Sequence, residues 1–457
     1  MKTFRHRLLF LSLSCLFPFC DLPAQTPEFV SLASARPVLQ AMRGSLPPEL
    51  RAAGATAPEA WDQWVRTRDR QIRRRIAQGE ELTLTNLLRL GVSYTKERRI
   101  TYDLLDRYGQ DGVVNSAAEH RADDLIRALS APHPNQGLLQ MRAFLQESGF
   151  SLSTPGGRKG TKAYLLASLA RQRDEVSRDR EQARIDHSRL FKDRGLSTDS
   201  DLYTAYTLEL HLRDLLRRGL LKPGGIHRVA ILGPGLDFVN KKLGYDFYPP
   251  QTTQPFTVID SLLRLGLSDL SSLEMCAFDI SPRVNQHLER ARAKAASGRP
   301  YTMQLLWSRS MGGSEDFLSD FTTFWGRLGE RIGNPVQPIA VPEAVRSDII
   351  SRAVSIRPEV VARITPVEMN VILQIQRLPA ERRFDLVIGT NIFLYYDALE
   401  QALARANLAT MIRSGGFLIS NTALPATAPS SLVDSVRTDI PIRPGLTDYV
   451  YSYRRQP

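Results

Sequence analysis

Two glycines, a nearby carboxylate and an amide are the residues most able to do chemistry in this 457-residue chain. The apolar run Val229-Ala-Ile-Leu232 leads into Gly233-Pro-Gly235-Leu-Asp237. Glycines placed directly after a first parallel strand let the backbone approach a ligand closely. A second apolar run, Leu273 to Ile280, carries Asp279 at its end. A carboxylate at that strand tip can accept both hydroxyls of a ribose. A third run, Phe384-Asp-Leu-Val-Ile-Gly-Thr390-Asn391, ends in a hydroxyl and an amide and continues into Ile-Phe-Leu-Tyr395-Tyr396. Asn391, Tyr395 and Tyr396, with Tyr245 and Tyr248 of Gly244-Tyr-Asp-Phe-Tyr-Pro-Pro250, are candidates to contact a substrate. The last group lies in an insertion, residues 240–254, whose aromatics and prolines suit a lid or a wall beside the glycine turn.

The elements that must hold these groups can be read from periodicity. Strands are expected at His227 to Leu232, Leu273 to Ile280, within Val361 to Val367, at Phe384 to Thr390 and at Gly416 to Asn421. Helical patterns at Phe256 to Leu267, Arg283 to Ala296 and Leu399 to Ile412 lie between them. The alternating tail Leu446 to Tyr453 reads as a terminal strand that pairs with Val436 to Ile442. Strand, helix, turn and strand in succession build a parallel α/β sheet. The expectation is a Rossmann-like, doubly wound, mostly parallel sheet with an antiparallel terminal strand, preceded by a helical N-terminal region.

The wording of these segments resembles class I S-adenosylmethionine (SAM)-dependent methyltransferases over residues 220–457. Asn-Ile-Phe-Leu-Tyr-Tyr and Gly415-Gly-Phe-Leu-Ile-Ser look closest to the chemotaxis-receptor methyltransferase branch. The resemblance implies that Gly233, Gly235 and Asp237 hold the methionine end of SAM and that Asp279 binds the ribose. It places Glu368 or Asn370 near the adenine, and Thr390 and Asn391 beside the sulfonium. The chain departs from the family pattern where Ile231 replaces an acidic residue and where Asp237 replaces a third glycine. The spacing from Gly235 to Asp279 is also about twice the ~20 residues usual for dinucleotide folds.

Other chemistries find less support. The seven histidines are scattered and form no metal-ligand spacing. No Gly-x-Ser-x-Gly elbow is present. Gly156-Gly-Arg-Lys-Gly160-Thr-Lys162 lacks the spacing and the preceding strand of a phosphate loop. A nicotinamide-dependent oxidoreductase would want the third glycine that Asp237 replaces.

Residues 59–219 read as the helical region, with Leu202, Tyr206, Leu210 and Leu215 on one face of its last helix, which Asp199 or Ser200 could cap. Thr154 to Gly160 reads as a loop, followed by a charged helix from Lys162 to about His187. Arg66 to Arg75 packs six arginines into ten residues, the pattern of a solvated or ion-paired surface rather than a nucleic-acid site. Formal net charge is +12, which favours anionic partners. Residues 25–58 read as a poorly ordered leader or a wrapping segment.

Lys2, Arg5 and Arg7 precede the apolar run Leu8 to Phe19 and then Leu22-Pro-Ala24, the order of a secretory signal peptide over residues 1–24. Cleavage would leave Cys276 as the single cysteine, an exported chain without a disulfide and with no membrane span. SAM is made in the cytoplasm, so export keeps open a second reading. In it the chain is a non-catalytic SAM- or nucleotide-binding scaffold. The methyl acceptor, a small molecule or a protein, is not identified by these residues.

Overall fold

The computed structural model describes residues 26–52, 57–132, 135–183, 194–198, 201–237, 245–426 and 431–457. The expected signal peptide, the expected caps Asp199 and Ser200, and residues 240–244 of the aromatic insertion lie outside them. The chain begins with β1 (Glu28–Phe29), α1 (Leu32–Ala41), α2 (Pro48–Ala52) and the long α3 (Pro58–Leu90). It continues through α4 (Tyr102–Leu105), α5 (Gly112–Ser130), α6 (Gln136–Glu147), α7 (Pro155–Ala183) and α8 (Leu202–Arg217). Then follow β2 (Arg228–Leu232), α9 (Gln254–Arg264), β3 (Glu274–Asp279) and α10 (Pro282–Ala296). An insertion supplies β4 (Tyr301–Ser308), α11 (Glu315–Arg327), β5 (Gly333–Val336), β6 (Ile349–Ile356) and α12 (Pro358–Val361). The last elements are β7 (Ile364–Glu368), β8 (Gln374–Ile375), β9 (Phe384–Ile388), α13 (Ala398–Met411), β10 (Ile412–Ser420), β11 (Leu432–Arg443) and β12 (Leu446–Arg455).

The central seven-stranded sheet has the order β11-β12-β10-β9-β2-β3-β7. β7, β3, β2, β9 and β10 run parallel, and β12 is antiparallel to both β10 and β11. This is the expected doubly wound, Rossmann-like sheet with an antiparallel terminal strand. Alternation along each strand feeds two cores, as a pleated sheet requires. Val229 and Ile231 join Leu212, Phe256 and Leu288 on one face. Ala230 and Leu232 join Leu403, Leu408 and Trp61 on the other. All of β9 is buried, which explains why it reads as an unbroken apolar run. Its polar member, Asp385, accepts from the N–H groups of His227 and Arg228 at 2.7 and 2.8 Å and pairs with Arg413, so it pins the start of three strands.

The structure differs from the sequence reading at three places. Of the two readings of residues 25–58, the wrapping segment describes residues 28–52 and the poorly ordered leader does not. β1 pairs with β8, Val30 and Leu39 are buried against the sheet's helices, and Trp61 Nε1 donates to Val30 O at 2.8 Å. Apolar residues too sparse for a periodic signal still find a face to cover. Thr154 to Gly160 is the first turn of α7 rather than a loop: Pro155 opens the helix, and the Thr154 hydroxyl accepts from Gly157 N–H. The segment between α10 and β7 carries a separate antiparallel sheet, β4-β6-β5, that the sequence pattern did not announce.

The boundary near residue 219 is also not where the packing divides. The first half of α3 (Trp61, Val65, Ile72) belongs to the core of the sheet. Its second half (Leu84, Leu87, Leu88) belongs to a separate helical core with α5, α6 and α7. Among the described residues no helix is long and apolar enough to cross a membrane.

Candidate functional site

The parallel strand order reverses between β2 and β9. Helices on either side of such a switch point diverge, and the carboxyl ends of the strands there face an open crevice. Gly233, Gly235, Asp279, Glu368, Thr390 and Asn391 all sit at those strand ends. Both glycines take positive φ, 63° and 76°, a region that side chains with a Cβ resist. Gly233 N–H donates to Phe278 O at 2.8 Å, so the turn begins anchored to β3. Asp237 is buried, and its backbone exchanges two hydrogen bonds with Gln251 at 2.7 and 2.8 Å. The Thr252 hydroxyl closes the same loop by donating to Gly235 O.

Asp279 is the electrostatic centre of the site. Its carboxylate accepts from Ser281 N–H at 2.7 Å. Burial, the largest influence, pushes its pKa up to about 7 against the pull of the Ser281, Gly235 and Ile280 N–H groups. Part of the residue stays open to water, yet protein surrounds it, and among the described residues no ion pair compensates its charge. A carboxylate held this way gains from further hydroxyl donors.

The tip of β9 is the other fixed point. Asn391 has φ 59°, the single non-glycine residue with positive φ among those described. Such a backbone state persists only when neighbours impose it. Asn391 N–H donates to Asn421 Oδ1 at 2.8 Å, and Asn421 Nδ2 donates to Asn391 Oδ1 at 2.6 Å. Asn391 Nδ2 donates to the Thr204 hydroxyl of α8 at 3.2 Å. Thr390 is buried and accepts from Gln254 Nε2 at 2.8 Å. The Ile392 side chain leans over Gly233, where a Cβ would meet its Cδ1 at 2.3 Å. Tyr396 is buried, with the Arg75 guanidinium 5.9 Å from its ring centre, and burial drives its phenol well above the usual range. The Tyr395 carbonyl accepts from Arg75 Nη1 at 2.9 Å.

The expected adenine residues are engaged by α3. Glu368 Oε1 accepts from Arg73 Nη1 at 2.6 Å, and buried Asn370 donates from Nδ2 to Asp69 Oδ1 at 2.8 Å. Tyr245 and Tyr248 lie in a small cluster with Ile349 of β6 in the inserted sheet and Val345 of the turn before that strand. The Tyr245 hydroxyl donates to Asp348 at 2.8 Å, which gives that phenol a structural partner. Gln254, Asn421, Thr204 and the α3 pair Asp69 and Arg73 were not singled out by sequence. Asn421 was the most accessible of them, because it follows the fifth strand as Asn391 follows the fourth.

No protein-family model matches the chain, and no curated protein matches it. Solved structures do resemble it. One is the N-methyltransferase NodS from Bradyrhizobium japonicum WM9, 11% identical, over 56% of this chain and 96% of that one, with a TM-score of 0.27. Another is magnesium protoporphyrin IX methyltransferase (ChlM) from Synechocystis PCC 6803 with bound SAM, 11% identical over 56% and 81%, with a TM-score of 0.27. The glycopeptide N-methyltransferase MtfA in complex with SAM is 15% identical over 55% and 67%, with a TM-score of 0.21. The fold assignment rests on strand order and direction, not on these likenesses.

Proposed function

We propose that the chain is a SAM-dependent methyltransferase. The observation that carries this reading is the meeting of the glycine turn, Asp279 and the Thr390-Asn391 tip at the switch point of the sheet. Asp279 fits a ribose, since its largely enclosed carboxylate faces the turn whose N–H groups already reach it. Gly233 and Gly235 would let the methionine end lie on the backbone, and Asp237 would shape that turn through its bridge to Gln251. Glu368 and Asn370 would line the adenine side. SAM, when bound, supplies an electrophilic methyl group.

The protein's task is then alignment and exclusion of water. Thr390 and Asn391 sit where an acceptor would be held, and Asn421 and Thr204 fix the Asn391 amide in one orientation. Asn391 and Tyr395 would position the acceptor, with Tyr396 behind them. Tyr245 and Tyr248 would act only by supporting the inserted sheet as an outer wall. The acceptor itself is a small molecule or a protein.

A second reading, an exported scaffold that retains the fold without turnover, draws on Ile231 in place of an acidic residue and on residues 1–24. Calorimetry separates the readings. The full chain should bind S-adenosylhomocysteine (SAH) and SAM and not NAD, and Asp279→Asn should weaken SAH by more than about tenfold. Failure to bind either adenosyl ligand at millimolar concentration would sink the proposal. Binding without turnover across a broad acceptor panel would favour the scaffold.

A further inference from the structure

Helix α3 crosses the carboxyl ends of the sheet and touches several strand tips in succession. Arg68 Nε pairs with Glu400 at 2.6 Å, at the start of α13. Asp69 Oδ1 accepts from Asn370, beyond β7. One turn on, Arg73 bridges Asp69 Oδ2 at 2.9 Å and Glu368 Oε1 at 2.6 Å. Arg75 reaches the Tyr395 carbonyl, beyond β9. Glu80 pairs with Arg283 at 2.8 Å, beyond β3. The helix thus lies over the crevice, and its contacts fall on the groups at which adenosine would arrive.

We infer that α3 is a gate on the cofactor site, latched by the chain Asn370–Asp69–Arg73–Glu368, and that adenosine enters only when Arg73 releases Glu368. This rests on the reading of the crevice as a SAM site. The latch is uneven by construction. Its Asp69–Asn370 half is buried, with Asn370 1% exposed and Asp69 7%. Its Arg73–Glu368 half is wet, with side chains 30% and 51% exposed. A solvated ion pair breaks easily and weakens with salt, whereas a buried amide–carboxylate bond holds the helix in place. The gate therefore opens at Glu368 and hinges at Asn370. Because α3 runs on into the core of α5, α6 and α7, whatever moves that core also moves the latch. By linkage, the factor by which the closed latch weakens the cofactor is the factor by which the cofactor weakens the latch.

The test is SAH binding to the full chain by calorimetry and stopped-flow fluorescence. It uses wild type, Arg73→Ala and Arg73→Lys, each first checked for an unchanged circular dichroism spectrum. The gate predicts that Arg73→Ala tightens SAH about three- to tenfold, mainly through a faster association rate, as loss of an exposed pair allows. Arg73→Lys should fall between, since it keeps the charge and loses the double contact. Raising salt should tighten wild type and leave Arg73→Ala unmoved. Unchanged or weaker binding by Arg73→Ala, with wild type binding SAH, overturns the gate and leaves the SAM reading standing. Absence of binding by every form takes down both together.

Discussion

Asp279 shows how one buried charge can carry a functional assignment. Its raised pKa of about 7 means that it loses its proton near neutrality, where an ordinary aspartate is fully ionised. The ionised form accepts both ribose hydroxyls, whereas the protonated form loses part of that capacity. Affinity for SAH should therefore fall as pH is lowered from 8 to 6, by up to about tenfold per unit below the pKa. Asp279→Asn should be weak and insensitive to pH over the same range. Isothermal titration at several pH values checks this, and a flat wild-type profile would refute the ribose assignment. Asn391 makes the complementary point, through geometry rather than charge. Its left-handed backbone costs free energy, on the order of 1 kcal/mol, and is held by Asn421 and Thr204.

Helix α3 was legible as a helix and illegible as a roof. Its six arginines between Arg66 and Arg75 read as a solvated or ion-paired surface, because charge density alone does not say which partners lie opposite. In the fold Arg68, Arg73 and Arg75 each find a partner at the end of a strand of the sheet, just beyond one, or on the helix that follows it. The strands were readable because burial on both faces makes each an apolar run, as in Phe384 to Ile388. The inserted β4-β6-β5 sheet was not, since its strands mix polar and apolar residues without clean alternation. Asn391 was legible from its neighbours in sequence, whereas Asn421, Thr204 and Gln254 come to it from distant elements. Gly79 offers a test of α3's position. A Cβ there would lie 1.9 Å from the Leu196 carbonyl oxygen, and Leu196 N–H donates to Arg75 O at 2.9 Å. Helix propensity alone says that Gly79→Ala should stabilise by about 1 kcal/mol. The contact with a backbone oxygen says the opposite and wins, because a backbone oxygen cannot swing aside as a side chain can. Thermal denaturation should show a lower midpoint for Gly79→Ala, and a raised midpoint would count against this crossing.

The two halves of the chain share α3, so their stabilities should rise and fall together. Two buried histidines allow this to be read through pH. His211 of α8 faces Thr438 of β11, with its Nδ1 2.7 Å from the hydroxyl and its Nε2 without a partner among the described residues. His287 of α10 faces Tyr301 of β4 at 3.0 Å. Burial, the largest influence on each, depresses both to about 4. A folded pKa below the unfolded value of 6.5 gives stability that is present above pH 6.5 and lost as pH falls through 4. Between pH 7 and 5 each histidine should cost about 2 kcal/mol. Asp279 acts in the opposite sense. Its raised pKa gives stability that is complete below about 3.8 and lost as pH rises through 7, so acidification returns about 2 kcal/mol. The two histidines together outweigh it. Urea unfolding at pH 7 and 5 should therefore show His211→Gln/His287→Gln losing about 3–4 kcal/mol less than wild type on acidification. Because α3 joins the sheet to the α5–α7 core, that difference should fall on one cooperative transition reported alike by tryptophan fluorescence and far-ultraviolet circular dichroism. Two separated transitions, only one of them sensitive to the histidines, would mean that α3 breaks at the junction of its two cores and that the gate can open without unfolding what lies beneath it.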